Sequence, residues 1–440
     1  MIEAYRRELR LMPHILKMEQ RGINLDGKAL AKDSNFFWNR LDELDDAICH
    51  KVGRNIDVDS NVDLADAIQA KWPNTIFKAT PTGKRSTAKE SLIEAISQTD
   101  EELLGHLLVR GSIATCLRTF MQPWLVQYEQ HGKLFMRWNQ IRNYSETGAR
   151  TGRISSSPNL QNIPVEWEGL KAQLEKIGYP IYVDSLPQVR RYIVPPPGWV
   201  FISRDYSAQE MKLLAHFTNG VLLETLRNDP GRDIHQIAAG IAGITRKVAK
   251  TLGFAVLYGA GVGRISESLG ITVSDATRIK GQYLEALPEI KLFQQELTKN
   301  GRSGLYTETL GKRRYYTQKP SVVNGVLRSF EYKLTNYKIQ GSAADQTKEA
   351  MIRYCESTEY GELVLTVHDA LVTQVPKEHL QEERQILETA VNGSFQDVLK
   401  YEVRSDESIG DNFAELMSAE DYGTGLTHQT SNQQQMRTIL

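Results

Sequence analysis

The sequence reads as an α+β protein, rich in helix and carrying a few short strands. Three observations point there. Residues 1–130 and 209–299 mix charged and apolar residues at helical spacing. PPPGWVFISRD (195–205) sets a Pro/Gly turn before the apolar run Trp199–Ile202, a strand that emerges at Arg204–Asp205. The β-branched run from Leu363 to Val375 reads as strand–turn–strand, and His368 and Asp369 interrupt it at LTVHDALV (365–372).

Taken in order, MIEAYRRELRLMPHIL has Glu3 and Glu8 and no uninterrupted apolar core, so it reads as an amphipathic helix rather than a targeting peptide. KATPTGKRSTA (78–88) is a basic, turn-rich loop that breaks the first helical region. From Arg142 to Pro164 the composition shifts to Ser, Asn, Gly and Pro, the pattern of an extended loop. Helical patterns resume after the Gly- and Arg-rich segment GLYTETLGKRRYY (304–316), and the polar last residues 427–440 read as a mobile tail.

Bulk composition excludes some classes. A chain of 440 residues holds about two or three domains, and 40% hydrophobic with 24% charged residues is ordinary for a soluble globular protein. No run of 18 apolar residues occurs, so no membrane partner is expected. Cys49, Cys116 and Cys355 have no paired spacing, which suits a reducing, intracellular compartment. The net charge of −1 decides nothing about nucleic acid. Basic clusters at Lys84–Arg85, Arg190–Arg191, Arg246–Lys247 with Lys250, and Lys312–Arg313–Arg314 fit a basic groove balanced by an acidic reverse face.

Three segments carry candidate chemistry. A buried carboxylate needs a partner or a cation. Asp205 at a strand end and Asp369 in a turn are therefore either local caps or a pair of hard oxygen ligands for two Mg²⁺ ions in phosphoryl transfer. In ITRKVAKTLGFAVLYGAG (244–261), Arg246, Lys250, Phe254 and Tyr258 recur every four residues and form one helical stripe, cationic first and aromatic last. Cations at a helix N-terminus invite an anion, so the stripe either holds a triphosphate and a base or is a solvated basic turn leading into a buried aromatic face.

TGRISSSPNLQNIP (151–164) resembles the string that leads into the palm of the family A DNA polymerases, the bacterial DNA polymerase I family. Segment 205–210 is similar to that family's first palm motif, 246–259 to its fingers-helix pattern, and 368–369 to its His-Asp pair. IQGSAADQTKEAM (339–351), DIHQIAA (233–239), TLGKRRYY (309–316) and ELRLMPHILKMEQRGINLD (8–26) match as well, so the resemblance spans residues 1–420. It implies a right-hand architecture with an antiparallel palm sheet and helical fingers and thumb. The divisions are a lead-in at 1–30, thumb 31–130, palm 131–219, fingers 220–325, palm 326–425 and tail 426–440. It implies the polymerase part alone, with proofreading absent or supplied by a separate exonuclease, and a separate processivity factor as a further possible partner.

The resemblance also implies roles. Asp205 and Asp369, helped by the Tyr206 carbonyl, would hold two Mg²⁺ ions, with Mn²⁺ able to substitute. Glu210 would exclude a ribose 2′-hydroxyl. Arg246, Lys250 and His235 would meet the triphosphate of a dNTP, Phe254 its sugar, and Tyr258 would stack at the templating position. Lys250 would also protonate pyrophosphate. Arg153, Asn336, Gln340 and His368 would touch primer–template DNA, with a structural role as the other reading of His368. The expected setting is the cytoplasm of a bacterial cell or of a phage-infected host.

Three departures from the family pattern stand out. The usual Ser-Gln-Ile-Glu stands as Ser207-Ala208-Gln209-Glu210, Tyr332 replaces a common arginine, and Ala370 replaces the glutamate after His368-Asp369. Ala370 predicts reduced or altered activity rather than none. It also raises the alternative of a primer–template binding protein with little catalysis. A single-subunit RNA polymerase is a third reading, and Glu210 with segment 151–164 speaks against it.

Overall fold

In the computed structural model, which describes residues 2–423 apart from 81, 98, 165–166, 181–185, 324 and 368, four strands from distant parts of the chain form one antiparallel sheet. The expected tail 426–440 and His368 lie outside the described residues.

Helix α1 (Ile2–Arg21) buries Leu11, Ile15 and Met18 on one stripe. Helix α2 (Gly27–Val52) starts where the Asp26 carboxylate accepts from the Ala29 N–H and stops at Gly53, whose φ of +78° suits a residue without Cβ. Helices α3 (Asn61–Lys71), α4 (Lys89–Ile96), α5 (Glu101–Cys116) and α6 (Gln122–His131) complete this helical region, in which α2 packs on α5. A π-helical turn, Leu117–Met121, joins α5 to α6, and Trp124 of α6 is fully buried.

Strand β1 (Arg137–Asn139), just before the stretch read as an extended loop, pairs with β2 (Ser155–Ser157) inside it. The physical reason is Asn139, whose Nδ2 donates to the hydroxyls of Ser155 and Ser157. After α7 (Glu168–Lys176) comes β3 (Trp199–Tyr206), the predicted strand carried through Asp205.

Seven helices follow: α8 (Gln209–Thr218), α9 (Val221–Asn228), α10 (Ile234–Ala242), α11 (Arg246–Tyr258), α12 (Val262–Leu269), α13 (Val273–Ala286) and α14 (Pro288–Arg302). Two small hairpins, β4 (Thr307–Glu308) with β5 (Arg314–Tyr315) and β6 (Ser321–Val323) with β7 (Val326–Arg328), precede the long helix α15 (Lys333–Ser357). The chain then forms β8 (Glu362–Val367) and β9 (Ala370–Pro376), the expected strand–turn–strand, followed by α16 (Leu380–Asn392), β10 (Ser405–Gly410) and α17 (Ala419–Gly423).

The sheet order is β10-β3-β9-β8, and all its neighbours are antiparallel. Tyr206 points toward α16, where its hydroxyl donates to the Val391 carbonyl at 3.0 Å. Successive strand residues face opposite ways, so Asp205 leaves the other face. Among the described residues no helix is long and apolar enough to cross a membrane.

Candidate active site

Strand β3 leads into α8 through a tight elbow. Ala208 sits there at φ +52°, a left-handed conformation that costs an alanine about 1 kcal/mol. The turn puts Asp205 at the end of the strand and Glu210 in the first turn of α8, five residues on. Gln209 is buried under the elbow, its Nε2 donating to Gln346 Oε1 at 2.9 Å. Register does the rest. Asp205 lies opposite Ala370, the residue after Asp369, so both aspartates reach the same end of the sheet.

Arg153 ties this end together. Its Nη2 donates to Glu210 Oε1 at 2.6 Å and to Asp369 Oδ1 at 2.8 Å. Glu210 also accepts from the Tyr258 hydroxyl at 2.9 Å and from Gln340 Nε2 at 3.4 Å. Burial lifts the Glu210 carboxyl above its usual range against the pull of Arg153, whereas Asp369 and Glu210 raise the guanidinium against its own burial. These senses oppose each other, and the 2.6 Å contact favours the ionised pair.

The stripe on α11 forms the facing wall. Thr245 caps the helix, its hydroxyl accepting from the Val248 N–H, and Gly259 ends it at φ +65° with the Tyr332 ring against the space a Cβ would need. Phe254 and Tyr258 stack with centroids 6.0 Å apart and planes 10° apart, and the His235 ring lies 5.9 Å from Phe254. Arg246 pairs with Asp233 at 2.5 Å, while Lys250 is exposed with no hydrogen-bond or ion-pair partner among the described residues. Burial pushes the His235 imidazole down from its ordinary value, and its Nδ1 has no partner among the described residues. Arg153, Glu210, Phe254, Tyr258 and Asp369 line one cavity of about 210 Å³.

Asp205 is raised to about 7 by the crowding of surrounding protein, then by the charges of Asp369 and Asp406. Its side chain still meets solvent, so like-charge repulsion, which needs no burial, is the firmer cause. Asp205 has no cationic partner among the described residues. Two neighbouring hard carboxylates, Asp369 with Arg153 as its cation and Asp205 with none among the described residues, fit Mg²⁺, which keeps several ligand positions for water and phosphate. Among the described residues no group of three or more His, Cys, Asp or Glu is arranged to hold a metal ion.

Of the residues singled out from the sequence, the structure brings Asp205, Asp369, Glu210, Arg153, Tyr258, Phe254 and Gln340 together. Asn336 is half-buried one helical turn before Gln340, and its Oδ1 has no partner among the described residues. Two residues escaped the sequence reading. Asp233 caps α10 through the His235 N–H at 2.8 Å and holds Arg246, and its place in DIHQIAA was a usable signal. Asp406 pairs in register with Asp205, and nothing local to SDESIG announces it.

Residues 27–415 match the model of the family described as DNA polymerase family A, and the chain belongs to that family. It is 30% identical over 393 residues to the thermostable DNA polymerase I of Thermus filiformis, covering 86% of this chain and 44% of that protein. The DNA polymerase I of Geobacillus stearothermophilus is 28% identical over 385 residues, covering 83% and 41%. The chain thus spans less than half the length of these relatives. A solved structure, the POL domain of Pol1 from M. smegmatis in complex with DNA primer-template and dNTP, superposes with a TM-score of 0.78 at 24% identity, covering 92% of this chain and 70% of that one. The fold is therefore the right-hand polymerase architecture expected from the sequence.

Proposed function

We propose that the chain is a DNA-directed DNA polymerase, a nucleotidyltransferase that adds dNMPs from dNTPs to the 3′-hydroxyl of a primer on template DNA. The observation that carries the reading is the meeting of Asp369, Glu210 and Arg153 with Phe254 and Tyr258 of α11 around one cleft, with Asp205 at the same end of the sheet. In this division, the sheet with α15 and α16 serves as palm, 220–325 as fingers and 31–130 as thumb.

Asp205 and Asp369, with the Tyr206 carbonyl, would hold the two Mg²⁺ ions. When bound, these ions supply charge stabilisation to the attacking and leaving oxygens. The chain's own residues do the positioning. Lys250 and Arg246 would take the triphosphate, the latter exchanging Asp233 for it, with His235 beside them. Lys250 stands ready to give a proton to the departing pyrophosphate. Phe254 would pack on the sugar, and the Glu210 side chain would fill the space a 2′-hydroxyl needs. Arg153, Asn336 and Gln340 would read the minor groove, where acceptor positions report pair shape more than sequence. Catalysis of this kind is orientation plus charge neutralisation. A protein that only held primer–template would have no use for paired carboxylates facing a triphosphate wall.

Primer extension on a labelled primer–template with dNTPs and Mg²⁺ tests this directly. The native chain should extend the primer, and Asp369→Ala should lose on the order of 10²–10³ in rate or more. Equal extension by both proteins, or none by the native chain with either Mg²⁺ or Mn²⁺, overturns the reading.

A further inference from the structure

In the sheet, Asp205 has two direct neighbours. On β9 it faces Ala370, and on β10 it faces Asp406. Directly opposed residues in antiparallel strands point to the same side, so the Ala370 methyl and the Asp406 carboxylate flank Asp205, and Asp369 in the adjoining turn is close enough for its charge to be felt there. Asp406 is held from outside this row, for the Ser207 hydroxyl donates to its Oδ2 at 2.6 Å. No lysine, arginine or histidine forms an ion pair with Asp205 or Asp406 among the described residues. The buried ammonium of Lys212 feels the Asp406 charge, yet burial itself works against that ammonium.

Like charges directly opposed across a strand pair destabilise a sheet. The sheet nonetheless sets a repulsive pair beside the position where the expected glutamate after Asp369 is missing. Local rules broken in this way mark functional positions. Charge count around a hard cation tunes its affinity, and carboxylates beyond the direct ligands act by holding its waters.

We infer that Asp406 is a positioning residue of the cation site, supplying from β10 the third negative charge that Ala370 does not supply from β9. The inference rests on the polymerase reading of Asp205 and Asp369. Because no three carboxylates among the described residues converge as direct ligands, Asp406 acts through Asp205 and through water on the cation. The two positions are interchangeable in charge, since both flank the same aspartate on the same face.

Mn²⁺ binding to the DNA-free protein, followed by electron paramagnetic resonance, tests this alongside thermal melting in EDTA and in Mg²⁺. Asp406→Asn should weaken Mn²⁺ binding roughly 10-fold. It should also melt no lower than the native chain in EDTA, because a repulsion is gone, and gain less from Mg²⁺. Asp406→Glu should bind like the native chain, and Ala370→Glu added to Asp406→Asn should restore the lost affinity. A folded Asp406→Asn that binds Mn²⁺ as tightly as a native chain active in primer extension overturns the inference and leaves the polymerase reading standing. A double variant that does not regain affinity overturns it too. A native chain that binds no Mn²⁺ overturns both.

Discussion

Arg153 shows how much a single side chain organises here. One nitrogen reaches a buried carboxylate on α8 and a turn carboxylate between β8 and β9. Glu210 in turn collects Arg153, Tyr258 and Gln340, so it sits among three elements that are far apart in sequence. Removing it leaves the Arg153 charge to Asp369 alone and frees the Tyr258 hydroxyl. If Glu210 excludes a 2′-hydroxyl, Glu210→Ala should raise the ratio of rNTP to dNTP incorporation by about 10- to 200-fold, the span open to a pocket that rejects by shape. Single-nucleotide kinetics with matched rNTP and dNTP check this, and an unchanged ratio assigns discrimination to another residue.

Helix α8 is held by what it buries. Gln209, Glu210, Met211, Lys212, Leu213, Leu214, Ala215 and His216 are all buried, so the helix runs through the protein rather than over it. His216 accepts from the Lys400 N–H at 3.3 Å through Nδ1, which needs the neutral ring. Burial, followed by Lys400 and Lys338, pushes its pKa down to about 4. An unfolded histidine takes its proton near pH 6.5, which the folded ring refuses until about 4. Stability present above pH 6.5 is therefore lost as pH falls toward 4, by up to ~3 kcal/mol. Urea unfolding across that range should show a shallower loss for His216→Asn, whose side-chain oxygen can still accept from Lys400. Equal slopes would place the acid sensitivity elsewhere.

A buried ionic network joins helix α1 to helix α15. Asp345 of α15, fully buried, accepts from the Thr309 hydroxyl, from the Gly311 N–H at 3.0 Å and from Arg7 of α1 at 3.3 Å. Nearby, the Lys348 ammonium donates to Glu8 at 2.7 Å and to the Gln140 carbonyl at 2.8 Å. Burial brings that ammonium down to about 8. Removing one member of such a network strands the others away from water. Asp345→Ala should cost roughly 3–5 kcal/mol, because the Thr309 hydroxyl and the Gly311 N–H lose their buried acceptor and Arg7 is left with Glu349 as its ion-pair partner. The denaturation midpoint measures this, and a loss under 1 kcal/mol would mean that Glu349 and the Gly311 carbonyl hold Arg7 without Asp345.

Local pattern was enough for the parts of the fold that depend on neighbours in sequence. The 3.6-residue stripe from Arg246 to Tyr258 with Gly259 behind it specified α11 and its working face. The apolar run interrupted at Asp369 specified the β8–β9 turn, because two polar residues in the middle of a buried β-branched run mark a place where the chain must leave the core. Low-propensity strings such as TGRISSSPNLQNIP carried the family. Tertiary structure alone decided which charges meet. Arg153 reaches a carboxylate 216 residues away, and Asp406 faces Asp205 across a separation of 201 residues, both set by strand register and chain path. Register depends on how whole strands pack, and a shift of one residue would turn Asp406 to the other face. Sequence therefore determined which side chains this protein has for its chemistry. Packing decided which of them stand together, because contact across hundreds of residues leaves no local periodicity to read.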